Sequence, residues 1–123
     1  METNHFNFED LKVYQKSLDF IDSVYGITTK YPVEEKFNLT DQFKRASVSI
    51  SLNIAEGSGA SNKENMRYAG IASRSLKECV VCTTVSYRRK YIDETQHTHL
   101  RNSLTELSKM LSGLIRYLRS KEK

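Results

Sequence analysis

From Leu100 to Leu118 a leucine falls at every third or fourth position: Leu100, Leu104, Leu107, Leu111, Leu114 and Leu118. Only an α-helix keeps such a series on one face. Asp93, with Gln96 three residues on, has the spacing of a capping box and opens the segment. Three earlier segments carry the same kind of punctuation. The first predicted helix runs from Phe8 to Tyr31, with Asn7 as N-cap and Asp10 in a capping-box position. Its main stripe is Leu11, Tyr14, Leu18, Ile21 and Tyr25, and Pro32 stops it by disfavouring helical geometry at the residue before. The second runs from Thr40 or Asp41 to Glu56, with Gly57 placed to end it. The third opens on the box Ser61 to Glu64 and continues to Ile92, along Met66, Ala69, Ser73, Leu76, Val80, Thr83 and Tyr87.

The predicted helices are therefore 8–31, 40–57, 62–92 and 94–119, and the tail Lys121 to Lys123 should fray. No strand pattern or internal repeat competes with them. Short connections make successive helices antiparallel neighbours, so the expected fold is all-α: one domain, 1–123, closed as an up-down-up-down four-helix bundle. A three-helix bundle with one exchanged helix is the alternative. Hydrophobic residues at 38% and charged residues at 28% suit a packed helical protein rather than a disordered chain. No apolar run approaches the roughly 18 residues that span a bilayer, so no membrane is expected as partner. The start METNHFNFED lacks a secretory pattern, which makes the cytoplasm the expected compartment.

A second set of apolar positions points to assembly. Val13, Phe20 and Ile27 recur every seven residues off the main stripe of the first helix. Val48, Leu52 and Ala55 lie nearly opposite Phe43, Ile50 and Ile54 on the second, and Ile71, Val81, Cys82 and Val85 repeat the arrangement on the third. A lone bundle would leave these faces in water. The chain is expected to pair with itself through Val13, Phe20, Ile27, Val48, Leu52, Ile71, Cys82 and Val85 in a closed homo-oligomer.

Chemistry is sparse. Cys79 and Cys82 have CxxC spacing, but about five turns of helix precede them, whereas a reactive pair sits at a helix N-terminus. No second CxxC or His pair completes a zinc site. Glu94 and His97 have the Glu-x-x-His spacing of di-iron bundles, yet no second copy exists. No catalytic triad order or phosphate loop is present. The expectation is no catalytic residue, no metal site and no cofactor. The net charge of +4, with pI near 9.1, permits nucleic-acid contact without demanding it. In the antiparallel bundle Lys30, Lys36, Lys44 and Arg45 come to the same end as Arg88, Arg89 and Lys90, with Tyr87 and Tyr91 as flanking aromatics. Glu34, Glu35, Asp41, Asp93 and Glu94 dilute the cluster and leave an ordinary solvated surface as the alternative. Lys44, Arg45, Arg88, Arg89 and Lys90 are the candidate contacts to RNA or DNA; Arg116, Arg119 and Lys121 form a second set at the far end.

The run Ser49 to Gly57, SISLNIAEG, places Asn53 and Glu56 among small residues where packing alone does not ask for them. In order and spacing it resembles the signature of the bacterial four-helix-bundle family named after the 23S rRNA intervening-sequence proteins. FEDLKVYQKSLDFIDSVY resembles that family's opening helix, and Tyr31-Pro32 followed by Glu35, Phe37 and Leu39 resembles its first connection. SRSLKE, Ser73 to Glu78, resembles a block of its third helix. The chain departs where family members often carry a basic residue and it has Ser58 to Ser61. The resemblance implies long bundles that assemble as ring-like homopentamers. A related branch resembles the accessory protein of diversity-generating retroelements, which partners a reverse transcriptase and nucleic acid. Ser49, Asn53, Ile54, Ala55, Glu56, Gly57 and Glu78 are the signature positions, and the expected role of Ser49, Asn53, Glu56 and Glu78 is structural, as hydrogen bonds across helices or subunits. Two functions stay open: a nucleic-acid-binding accessory, serving RNA or a nucleic-acid-processing protein, and an oligomeric scaffold for another protein.

Overall fold

The structure, a computed structural model, describes residues 4–122. Four helices follow in order: α1 (Lys12–Thr28), α2 (Leu39–Gly57), α3 (Asn62–Arg88) and α4 (Glu94–Ser120). There is no strand among the described residues. Side-chain pairs give the antiparallel order: Ser17 meets Ser51 and Phe20 meets Phe43 between α1 and α2. Ser49 meets Ser75 between α2 and α3. Tyr87 stacks on His97 between α3 and α4, and Lys16 meets Glu106 across α4 and α1. Phe20, Phe43, Ile50, Leu100, Leu104, Leu107 and Leu111 fill the middle.

The boundaries shift for local reasons. The chain before α1 forms a separate 3-10 turn, Asn7–Asp10, where the Phe6 amide donates to Glu9 Oε1, so Glu9 rather than Asp10 makes the early cap. Leu11 is extended, which delays the helix to Lys12. At the far end α3 stops at Arg88 instead of Ile92. Lys90 takes a left-handed φ of 64°, its amide bonds Tyr87 O, and the Tyr91 amide reaches back to Ser86 O. This is a Schellman closure with lysine where glycine is usual. Gly57 does not turn the chain either: it is the last residue of α2, and Gly59 takes the positive φ. The box Asp93–Gln96 is made in both directions, 2.8 and 2.9 Å. α4 ends at Ser120, where the tail expected to fray begins, and the Lys121 and Glu122 amides donate to Leu118 O and Arg119 O in a last tightened turn; Lys123 lies outside the described residues.

On α1 the two apolar stripes exchange places. Val13, Ser17, Phe20, Val24 and Thr28 are buried, whereas Leu18 is 39% and Tyr25 44% exposed. Val13 and Phe20, expected at a subunit interface, belong to the core, and Ile27 packs half-buried against it. Cys82, assigned to the same interface, is also buried. The physical reason lies in hydroxyls. Ser17 bonds Tyr14 O at 2.6 Å and Ser51, and Thr28 bonds Val24 O at 2.8 Å. A hydroxyl bonded to its own helix can be buried at little cost, so a stripe that mixes Val and Phe with Ser and Thr can face the core.

Candidate functional site

The signature run of α2 is built for close approach to α3. Ser49, Asn53 and Gly57 lie four residues apart on the edge facing α3. Ser49 Oγ meets Ser75 Oγ at 2.7 Å, and Asn53 Nδ2 donates to Ser49 O at 2.8 Å and to its Oγ at 3.2 Å. A Cβ on Gly57 would lie 2.5 Å from Asn65 Oδ1, the end of a side chain that can turn aside, and 3.1 Å from Tyr68 Cβ, a tight contact, so glycine eases the close packing of the start of α3. Ile54 is core, and Ala55 is half-buried on the outer side. Of the two bonds expected of Glu56, the one across helices is not made: within the chain it is exposed and has no hydrogen-bond or ion-pair partner among the described residues. Glu78 is likewise exposed and unpaired within the chain, among the described residues. Ser49 bridges helices as expected, whereas Asn53 bonds only within α2.

The two thiols sit deep. Burial pushes the Cys79 thiol well above its ordinary range and Cys82 up to about 11, with the Glu78 carboxylate adding to both. Neither is a nucleophile near neutral pH. Among the described residues no group of three or more His, Cys, Asp or Glu side chains converges. Glu94 is exposed in the first turn of α4, and His97 stacks its ring on Tyr87 at 4.2 Å. No helix among the described residues is long and apolar enough to cross a membrane.

The expected basic cluster divides. Arg88, Arg89 and Lys90 are exposed at the end of α3, and no carboxylate lies within ion-pairing distance of them among the described residues. Val85, Arg88 and Arg89 line a surface hollow of about 410 Å³. The negative end of the α3 dipole favours these cations without neutralising them. Lys44 instead leans toward α1, its ammonium 4.8 Å from the Tyr25 ring, and is half-buried. Arg45 lies on the outer surface of α2, 4.0 Å from Asp41 Oδ2. With Ser49 level with Ser75, Arg45 stands level with Cys79, about 13 Å along the axis from Arg88. The structure therefore separates Lys44 and Arg45 from the triplet.

The aromatic residues expected beside the triplet are already engaged. Tyr87 is held by His97, and Tyr91 packs on Tyr31 at 5.1 Å and donates to Glu35 Oε2 at 3.0 Å. That bond to Glu35 holds the Tyr91 phenol above its ordinary pKa. Tyr31 in turn donates to Ser86 Oγ at 2.6 Å, and its phenol is raised by burial. Two bulky residues of the α1–α2 connection take the exposed positions: Val33 is 80% and Phe37 86% exposed. Periodicity misses both, because a single aromatic or aliphatic residue in a turn has no repeat to reveal its direction.

A third surface runs along the outside of α1 and α2. Leu18, Tyr25 and Leu52 are exposed, with Val48 and Ala55 half-buried beside them. Leu52 and Val48 thus stay on the expected outer face, and Ile71, Val81 and Val85 continue it on α3, Val81 at 61% exposure.

The architecture is shared with solved proteins. The crystal structure of a protein of unknown function from the S23 ribosomal protein family of Bacteroides thetaiotaomicron VPI-5482 matches with a TM-score of 0.77 at 28% identity. The match covers 84% of this chain and 97% of that one. Comparison with curated proteins finds no match. Residues 9–113 match the family described as 23S rRNA-intervening sequence protein, a span that holds α1, α2, α3, the SISLNIAEG edge and most of α4. This chain belongs to the family of 23S rRNA-intervening sequence proteins.

Proposed function

We propose that this protein acts without catalysis, as a self-associating bundle that holds nucleic acid on its Arg88–Lys90 end. The observation that carries the reading is the triplet itself: three consecutive cations, exposed, with no carboxylate partner among the described residues. Phosphates are the counter-charge such a group suits, and phosphate contacts carry no base preference. One chain of charge +4 would bind weakly. A closed assembly, five-fold by family resemblance, would present the triplet around a ring, and linked copies raise avidity with no added interaction per copy. The exposed Leu18, Tyr25 and Leu52 supply an apolar surface for that association. RNA or DNA is the partner class, and a nucleic-acid-processing protein is its natural companion. A protein scaffold with no nucleic-acid role is the second reading, favoured by the same apolar surface.

Titration of labelled RNA and DNA across a salt series separates the two. Replacing Arg88, Arg89 and Lys90 together with Ala should weaken binding to every sequence alike and flatten the dependence of log K on log salt. The slope should fall by about one for each phosphate that the variant no longer neutralises. Neutralising Arg116, Arg119 and Lys121 at the opposite end should matter less. An assembled wild-type protein that binds neither nucleic acid at low salt would overturn the accessory reading and leave the scaffold.

A further inference from the structure

The connection between α1 and α2 holds an aromatic ring almost wholly in water at the end of the bundle that carries the basic triplet. Phe37 is 86% exposed, the most exposed of the large hydrophobic residues described. Its backbone is fixed. Glu35 uses both carboxylate oxygens, Oε2 accepting from the Tyr91 hydroxyl at 3.0 Å and Oε1 from the Leu39 amide at 3.3 Å. Backbone bonds from Glu35 to Pro32, Lys36 to Val33 and Asn38 to Glu35 complete the turn. The Glu35–Tyr91 bond ties this turn to the segment that carries Arg89 and Lys90, so ring and cations share one end of the bundle. The Lys36 ammonium lies 5.3 Å from the Phe37 ring centroid.

We infer that this end takes single-stranded nucleic acid, with the Phe37 ring stacking on an unpaired base while Lys36, Arg88, Arg89 and Lys90 hold the flanking phosphates. The inference rests on the reading that the triplet binds nucleic acid, and adds the class of strand. Charge complementarity selects this occupant: an exposed ring with Lys36 beside it, at the end of the bundle that carries the unpaired triplet, matches a polymer that alternates flat bases with phosphates. A duplex keeps its bases stacked inside and offers Phe37 nothing but backbone.

Fluorescence anisotropy with a single-stranded RNA, a single-stranded DNA and a blunt duplex of equal length tests it. Phe37→Ala should weaken both single strands about 5- to 150-fold, the range of one base–aromatic stack, and leave duplex affinity and salt slope unchanged. Phe37→Trp should restore single-strand binding. The Ala variant folds regardless, since the side chain it removes is exposed. Equal loss on single strand and duplex, no loss at all, or a change in oligomer size with Phe37→Ala would each overturn stacking while leaving the triplet reading intact. So would Phe37-dependent binding to vesicles of anionic phospholipid with single-strand affinity unaltered. Wild-type protein that binds no nucleic acid at low salt overturns both.

Discussion

Lys90 sits where helix-terminating glycine normally does, at a φ of 64°. A side chain in the left-handed region meets its own backbone, and the strain for a non-glycine residue is about 1–2 kcal/mol. Nothing in the fold requires lysine there, because the two Schellman bonds come from the backbones of Lys90 and Tyr91. Its charge is what glycine could not supply. Lys90→Gly should therefore raise stability by about 0.5–1 kcal/mol, after allowing for the greater freedom of unfolded glycine, and at the same time weaken binding to RNA or DNA. Chemical denaturation and anisotropy on one variant read the two effects; a fall in stability would show that the lysine side chain makes an interaction that matters to the fold. Glu56 teaches the reverse lesson at the same scale. Its place in the signature suggests a hydrogen bond across helices, yet within its chain it faces solvent, while Gly57 beside it is buried where an added Cβ would press on Tyr68.

At the scale of elements, helix existence and order were legible because caps and stripes are local. Asp93–Gln96 closes as the spacing says, and five of the six leucines of α4 are buried. The inward face of α1 was not legible, since it depends on what α2 and α4 present to it. Ser17 and Thr28 look polar in the sequence and behave as core once their hydroxyls bond Tyr14 O and Val24 O. The exchange changes which substitutions test assembly. Phe20 is 1% exposed against Phe43, so Phe20→Ala should lower stability by about 3–5 kcal/mol and says nothing about an interface. Leu18→Glu with Leu52→Glu alters only exposed positions; it should keep the helical circular dichroism and reduce particle size by light scattering. A monomeric wild type, or a double variant that unfolds, would contradict this assignment.

The whole molecule is unevenly closed. Small residues bring α2 and α3 together through Ser49–Ser75 and the close approach of Gly57 to Tyr68. The seam between α1 and α4 carries two hollows of about 430 and 330 Å³ that share Ser23 and His99. Its polar links are Lys16–Glu106 at 3.5 Å, exposed on both sides, and Ser23–His99 at 3.4 Å. Pairs of this kind are worth little in water. The basic end was legible in part: the triplet is a local charge run, but the separation of Lys44 and Arg45 from it follows from the register of α2 against α3 and from the partners each finds, which charge alone does not reveal. At 17 residues α1 is also the shortest of the four, so it should open first in native-state hydrogen exchange. Its outward stripe, Leu18 and Tyr25, lies on the surface assigned to association, next to Leu52. If neighbouring copies cover that stripe, opening α1 also requires breaking the assembly, so protection of α1 amides should rise with protein concentration. The α3 amides around Ala72, Leu76 and Cys79, enclosed within one chain, should respond far less. Exchange rates in α1 that stay constant from dilute to concentrated protein would place the subunit contact elsewhere on the bundle.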